Sequence, residues 1–290
     1  MKIAFGTCGY SYKDWIGPVY PPGTTSAQML ELYARRFTAV EIDSTYYRVP
    51  SSKTFESMAR RTPAEFRFTA KLPGSGTHLP DLSVMNVHDD VSLFRHNIEP
   101  LAASGKLACV LMQFPNSFRP SATTHEYIAA LCAELTGIEL VAEFRNRQWQ
   151  TSDTLELLQA LGIGLVNVDQ PQFRSLLRPS TDVTSRIAYL RFHGRNYQNW
   201  WKGTNESRYD YLYSAEELTP WVDRVVDIAA SEQTEKVFAF FNNHRRGQAV
   251  RNAEMLEEML QSRLPAAMVI TVPDSHRPRG GEPLALDLGQ

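Results

Sequence analysis

Eight apolar runs of strand length, each followed by room for a helix, restrict this chain to very few folds. They lie at residues 3–7, 39–45, 66–72, 107–114, 139–144, 164–169, 187–193 and 236–242. The segments between them carry helical spacing. Leu30, Tyr33, Ala34 and Phe37 follow Ser26 as the expected cap; Phe55, Met58 and Ala59 follow Ser52 and stop at Pro63. Leu155, Leu158 and Leu161 form a stripe behind Ser152 and Asp153, and Val250, Ala253, Leu256 and Leu260 mark the last clear helix. Ser214 with Glu217 has the spacing of a capping box. Strands alternating with helices favour a parallel sheet with helices outside it, and eight such units close into a barrel. The predicted fold is α/β, a (β/α)8 TIM barrel.

Two stretches depart from that repeat. Between Asp169 and Ile187, Pro171 and Pro179 break a segment whose only apolar group is Phe173, Leu176 and Leu177, so the sixth helix is expected to be short or missing. Met268–Val272 is a ninth strand-like run in a barrel with eight places. The reading is therefore a single barrel domain over 1–262 with an irregular sixth unit, and a C-terminal extension over 263–290.

Side chains along a strand alternate between its two faces, and each run pairs an apolar set with a polar one. In the seventh, Leu190 and Phe192 oppose Tyr189, Arg191 and His193. The same parity sets Glu41 and Asp43 against Val40 and Ile42, and Thr69 and Lys71 against Phe68 and Ala70. It also puts Gln113 with Cys109 and Leu111, Glu143 and Arg145 against Ala142 and Phe144, Asn167 and Asp169 against Val166 and Val168, and Asn242 with Phe238 and Phe240. Most of these polar residues fall at C-terminal strand ends, where barrel active sites lie. Buried charges must be paired, and the carboxylates balance the cations in number, so a purely structural network is the competing account.

From this face Glu143, Asp169 and His193 are the catalytic candidates, a base and its acid partner. Lys71, Arg145 and Arg191 are candidates to clamp phosphate or carboxylate, with Glu41, Gln113, Arg195 and Asn242 as further substrate contacts. No cofactor is expected. A divalent metal on Glu143, Asp169 and His193 is the alternative, opposed by the interleaved cations and by the scarcity of histidines on this face, unless His78, His88 or His244 join from loops.

The loops after the first, fifth and seventh strands are aromatic and basic, with Tyr12 and Trp15 in the first, Arg147 and Trp149 in the second, and Arg195, Tyr197, Trp200, Trp201 and Lys202 in the third. Rings beside cations suit sugar faces or stacked bases. Tyr12, Trp15 and Trp200 are accordingly counted as substrate contacts, a cyclic anionic small molecule is the expected partner, and nucleic acid is an alternative partner through these local basic loops.

A net charge of −2 excludes a global positive field. The apolar runs fall short of the roughly 18 residues a membrane helix needs, so no membrane partner is expected, and Cys8, Cys109 and Cys132 lack metal-type spacing. Reduced thiols and a start with no signal-peptide pattern point to a cytoplasmic protein.

The stretches Gly6–Trp15, Tyr20–Gly23, Val40–Tyr47, Arg67–Lys71, Glu143–Arg145, Arg191–Arg195 and Phe241–Asn243 resemble the YecE-like family, a domain of unknown function, over about residues 3–262. The resemblance implies a TIM barrel and supplies no activity. Cys8 stands where many relatives carry serine and Asp43 where many carry asparagine, so neither is expected to be an essential catalyst.

Three readings compete. The first is an enzyme using acid–base chemistry on a phosphate- or carboxylate-bearing sugar or nucleotide at the barrel mouth, its hydrolase, isomerase or lyase class open. The second is a metal-dependent nuclease or repair enzyme, drawn by analogy with other barrels. The third is a non-catalytic ligand-binding or interaction protein.

Overall fold

The structure is a computed structural model and describes residues 2–78, 87, 89–269 and 271–272. Its strands are β1 (Lys2–Thr7), β2 (Ala39–Ile42), β3 (Arg67–Lys71), β4 (Leu107–Gln113), β5 (Leu140–Glu143), β6 (Gly164–Asp169), β7 (Ile187–Phe192) and β8 (Lys236–Phe241). All are parallel, paired in chain order from β2 to β8, and β8 returns to pair with β1. Outside them run α1 (Met29–Ala34), α2 (Ser52–Arg60), α3 (Gly74–Thr77), α4 (Asp89–Ala103), α5 (Ala122–Glu134), α6 (Ser152–Ala160), α7 (Asn205–Arg208), α8 (Ala215–Ala230) and α9 (Gln248–Gln261). This is the TIM barrel that the strand count predicts.

Local signals account for several boundaries. Ser214 and Glu217 form the capping box at the start of α8, each side chain taking the other's backbone N–H. Thr151 caps α6 through Thr154 N. At the far end of α2, the buried Lys106 Nζ donates to the carbonyls of Ala59 and Thr62, both at 2.6 Å, so a cation closes a helix C-terminus. The first helix begins at Met29, after the expected Ser26 cap.

The barrel is nearly closed between β1 and β2. A bridge joins Cys8 to Glu41 at the top of this seam, and Gly9 N donates to Glu41 O at 2.8 Å. Lower down the Tyr33 hydroxyl does what a ladder would do: it accepts from Thr7 N at 2.8 Å and donates to Ala39 O at 3.1 Å. Gly6 lies on this seam because a Cβ there would sit 2.1 Å from Ala39 O.

Registered partners in a parallel sheet share a face, which fixes what points to the axis. Glu41 pairs with Thr69, Lys71 with Leu111, Gln113 with Glu143, and Arg191 with Phe240. Those inward assignments agree with the alternation read from sequence. The sixth strand does not. Val166 pairs with the inward Tyr189 and Val168 with the inward Arg191, so Asn167 and Asp169 face outward.

The physical reason lies in the next segment. No helix follows β6, and the stretch from Gln170 to Arg186 covers its outer face instead. That loop brings polar groups: Asn167 donates to Asp182 O at 2.9 Å and accepts from Ser180 Oγ at 2.6 Å. With polar cover outside, the valines fill the axis. Past α9, Val269 bridges to Ile3 and is buried, so part of the extension lies along the first strand. Residues 270 and 273–290 lie outside the described residues, as does His88.

Candidate functional site

The interior of the barrel is wired around Arg191. Its Nη1 donates to Glu143 Oε2 and its Nη2 to Glu41 Oε1, each at 2.6 Å, and all three side chains are buried. Glu41 also accepts from the Tyr189 hydroxyl at 2.6 Å, which is linked to Thr69 at 2.8 Å. Glu143 accepts again from Gln113 Nε2 at 2.8 Å and Arg145 Nε at 2.9 Å, and its Oε1 lies 3.0 Å from His193 Nε2. Burial alone would raise the Glu143 carboxyl, but Arg145, Arg191 and His193 together hold it well below the usual carboxylate range.

His193 is a neutral imidazole. Burial, reinforced by Arg145 and against the pull of Glu143, lowers it from 6.5 to about 3. An ionised Glu143 only accepts, so Nε2 carries the proton and Nδ1 accepts from Asn242 Nδ2 at 3.1 Å. Both ring nitrogens are thus in use within the fold. Glu41 differs in sign: burial raises its carboxyl, with Arg191 opposing and Asp43 adding to the rise.

Asp169, expected beside Glu143 and His193, is held elsewhere. Its two oxygens accept from Arg195 Nε and Nη2 at 2.9 and 2.6 Å, from Tyr213 Oη at 2.7 Å and from Trp221 Nε1 at 2.7 Å. This bonding draws Arg195 away from the mouth as well, where it anchors the β7–α8 loop. Trp15 is buried, donating from Nε1 to His244 O at 2.6 Å, so it supports the first loop and is closed to a ligand. Glu41 is equally closed. Of the other expected contacts, Arg145 reaches the mouth beneath the Trp200 ring at 5.6 Å, and Tyr12 and Asn242 line a cavity there.

That cavity, of about 410 Å³, opens at the C-terminal ends of β1, β2 and β8. Tyr10, Tyr12, Tyr47 and Tyr209 give it aromatic walls, and Asp43, Asn242 and His244 give it polar ones. Asp43 Oδ1 is buried without a hydrogen bond, 3.5 Å from Arg191 Nη2 and 3.9 Å from Lys71 Nζ. Burial would raise its carboxyl; Lys71 and Arg191 outweigh that and lower it. Lys71 Nζ lies 4.3 Å from the centre of the Tyr46 ring and makes no hydrogen bond to a described residue. His244 Nδ1 is also buried without a partner. Its ring stacks on Tyr12 at 4.5 Å and 3°, Tyr12 is pinned by its hydroxyl to Cys8 O at 2.5 Å, and burial lowers the imidazole so that it is neutral.

Sequence reading counted His244 only as a loop histidine within reach of a metal and did not place it at the cavity, because it sits just beyond the last strand where parity no longer applies. The signal available was its place two residues past the inward Asn242, the next inward position had the strand continued.

Metal ligation can be weighed on the same geometry. Glu143, Asp169 and His193 do not converge. Among the described residues one group, Cys8, Glu41 and Asp43, brings ligand atoms within 4.8 Å of each other. The Arg191 guanidinium already lies against all three, 3.5 Å from Cys8 Sγ, 2.6 Å from Glu41 and 3.5 Å from Asp43. The protein supplies its own cation there. No helix among the described residues is long and apolar enough to cross a membrane.

Comparison with known proteins agrees with this architecture. The protein YunF of Bacillus subtilis is 30% identical over 89% of this chain and 94% of its own length. The solved structure of a DUF72 family protein from Thermotoga maritima is 38% identical with a TM-score of 0.80, covering 90% of this chain and 100% of that one. A D-psicose 3-epimerase solved in the presence of D-fructose shares the fold at a TM-score of 0.50 and 11% identity over 89% of this chain and 99% of its own. The family model described as protein of unknown function DUF72 matches residues 4–276, which takes in part of the stretch after residue 262. The chain belongs to the DUF72 family, the group that includes YunF and YecE.

Proposed function

We propose that the protein is an enzyme that moves a proton on a small hydroxylated, anion-bearing ring, a sugar phosphate or nucleotide, held in the cavity at the barrel mouth. The observation that carries this reading is His244 Nδ1, a buried nitrogen with no partner, lining the same cavity as the unbonded Asp43 Oδ1. A buried polar atom without a hydrogen bond costs free energy, and that two residues carrying such atoms line one cavity supports a ligand there.

In this reading the neutral imidazole of His244 is the base or acid, Asp43 accepts a ligand hydroxyl, and Lys71 and Arg145 face the anion. Accepting a hydroxyl does not require a carboxylate, so an asparagine at position 43 could serve as well. The Arg191 network sets the shape of the floor and keeps it rigid, and the tyrosine walls suit a ring.

The test is a panel of sugar phosphates and nucleoside monophosphates followed by NMR in deuterated water, reading turnover or deuterium uptake. Wild type should convert at least one compound, and His244→Gln should abolish conversion with its Tm unchanged. Conversion that survives His244→Gln would sink the role assigned to that residue. Ligand-induced stabilisation without turnover or exchange would replace the enzyme with a binding protein.

A further inference from the structure

Beyond the mouth, the outer rim of the barrel carries cations that the fold does not use. Arg119, on the loop after β4, Arg147, after β5, and Arg174, after β6, are all exposed, and no hydrogen bond or ion pair ties any of their side chains to a described residue. They line two cavities that share Arg119, one of about 390 Å³ and one of about 310 Å³, and no carboxylate of the described residues lines either. Arg186, by contrast, is exposed and paired with Glu139 and Glu235. Three in a row left unpaired form a local positive field on a chain of net charge −2.

The loops bearing them are held to one another. Asn146 Nδ2 donates to Asn116 O and Trp149 Nε1 to Phe118 O, both at 2.8 Å, and Arg147 N donates to Ser175 O at 2.9 Å. The β4, β5 and β6 loops thus form one tied arc, and an anion binding there need not order them. The arc runs on into aromatic rings. Phe173, adjacent to Arg174, contacts Tyr197 at 5.3 Å and Trp201 at 5.7 Å, and those two rings are 50% and 52% exposed. Large rings exposed to that degree and clustered beside cations are a stacking surface.

We propose that this rim is a binding track for a single nucleic-acid strand, with phosphates on Arg119, Arg147 and Arg174 and a base stacked on Trp201. A chain of phosphates would meet all three cations, which line one cavity, and a ligand with flat rings would also use the platform beside them. Inorganic polyphosphate or an acidic polysaccharide would use the first part and not the second. The track is independent of His244 and Asp43, so it stands or falls separately from the activity proposed for the mouth.

The test is fluorescence anisotropy with a labelled oligothymidylate of about a dozen nucleotides, using the full chain between about 50 and 200 mM salt. Wild type should bind with a negative salt slope. Arg119→Gln, Arg147→Gln and Arg174→Gln combined should flatten that slope by about two, since each phosphate contact on a single strand contributes about 0.7. Trp201→Ala should weaken binding about tenfold, the scale of one stacked base, with the slope unchanged. Asp43→Asn should bind as wild type does. An absence of binding at the lowest salt, or binding that ignores the triple substitution, overturns the track. If an abasic strand or polyphosphate binds as tightly and Trp201→Ala has no effect, the surface takes polyanions generally and the nucleic-acid assignment is wrong.

Discussion

Arg191 on β7 reaches across the barrel axis to Glu143 on β5, Nη1 to Oε2 at 2.6 Å, with both side chains withdrawn from water. The same guanidinium holds Glu41 on β2, so one cation fixes three strands that are not neighbours in the sheet. Removing one partner of a buried pair leaves a charge unpaired, which costs about 3–5 kcal/mol. Arg191→Met should lower the urea unfolding free energy by that amount, and adding Glu41→Gln and Glu143→Gln should restore part of the loss. A loss within about 1 kcal/mol, the range of exposed pairs, would show that water or rearrangement relieves the carboxylates.

The seam between β1 and β2 depends on a phenol. Tyr33→Phe leaves Thr7 N–H and Ala39 C=O without their bridging hydroxyl, and an unsatisfied buried group costs about 1–3 kcal/mol. The expected outcome is destabilisation in that range together with faster hydrogen exchange at Thr7. Unchanged exchange at that amide would mean that the hydroxyl does not close the seam.

Acid should loosen the fold before ordinary carboxylates titrate. The unfolded chain takes up protons on histidine near 6.5, while the folded chain keeps His193 neutral down to about 3 and His78 down to about 4, the latter through burial with Lys71 and Arg145 beside it. Between those values the unfolded state binds more protons, so stability falls as pH falls. Glu143, held low, extends the loss through the carboxylate range, and Glu41, held high, partly offsets it. Urea midpoints should therefore decline from pH 7 to pH 5, and His193→Gln should flatten the decline. A midpoint independent of pH across that interval would contradict the buried neutral imidazole.

Lys71 offers a direct check on anion recognition at the mouth. Among the described residues its ammonium has a carboxylate no nearer than 3.9 Å, a ring on one side and no hydrogen bond, which leaves donors for a ligand. Millimolar inorganic phosphate should raise the Tm of wild type by mass action, and Lys71→Gln should remove most of that rise while leaving the Tm without phosphate close to wild type. An equal rise in both proteins would place phosphate elsewhere.

The sequence by itself determined the fold and most of the barrel axis. Period-two alternation in strands short enough to have two distinct faces put Glu41, Lys71, Gln113, Glu143, Arg191 and Asn242 on the inner side, and the prolines after Asp169 announced the missing helix. Tertiary structure decided what those residues do. Alternation says that Asn167 and Asp169 share a face without saying which; outside the barrel the polar loop over β6 meets Asn167, and Arg195, Tyr213 and Trp221 meet Asp169. Pairing across the axis is likewise invisible in one dimension, because Arg191 is 150 positions from Glu41 and 48 from Glu143. Those contacts absorb Glu143 and His193 into the floor, while the turn after β8 brings His244 to the cavity wall. Strand alternation is a local property of the backbone, and the assignment of charges to partners is set by which strand ends meet when the barrel closes.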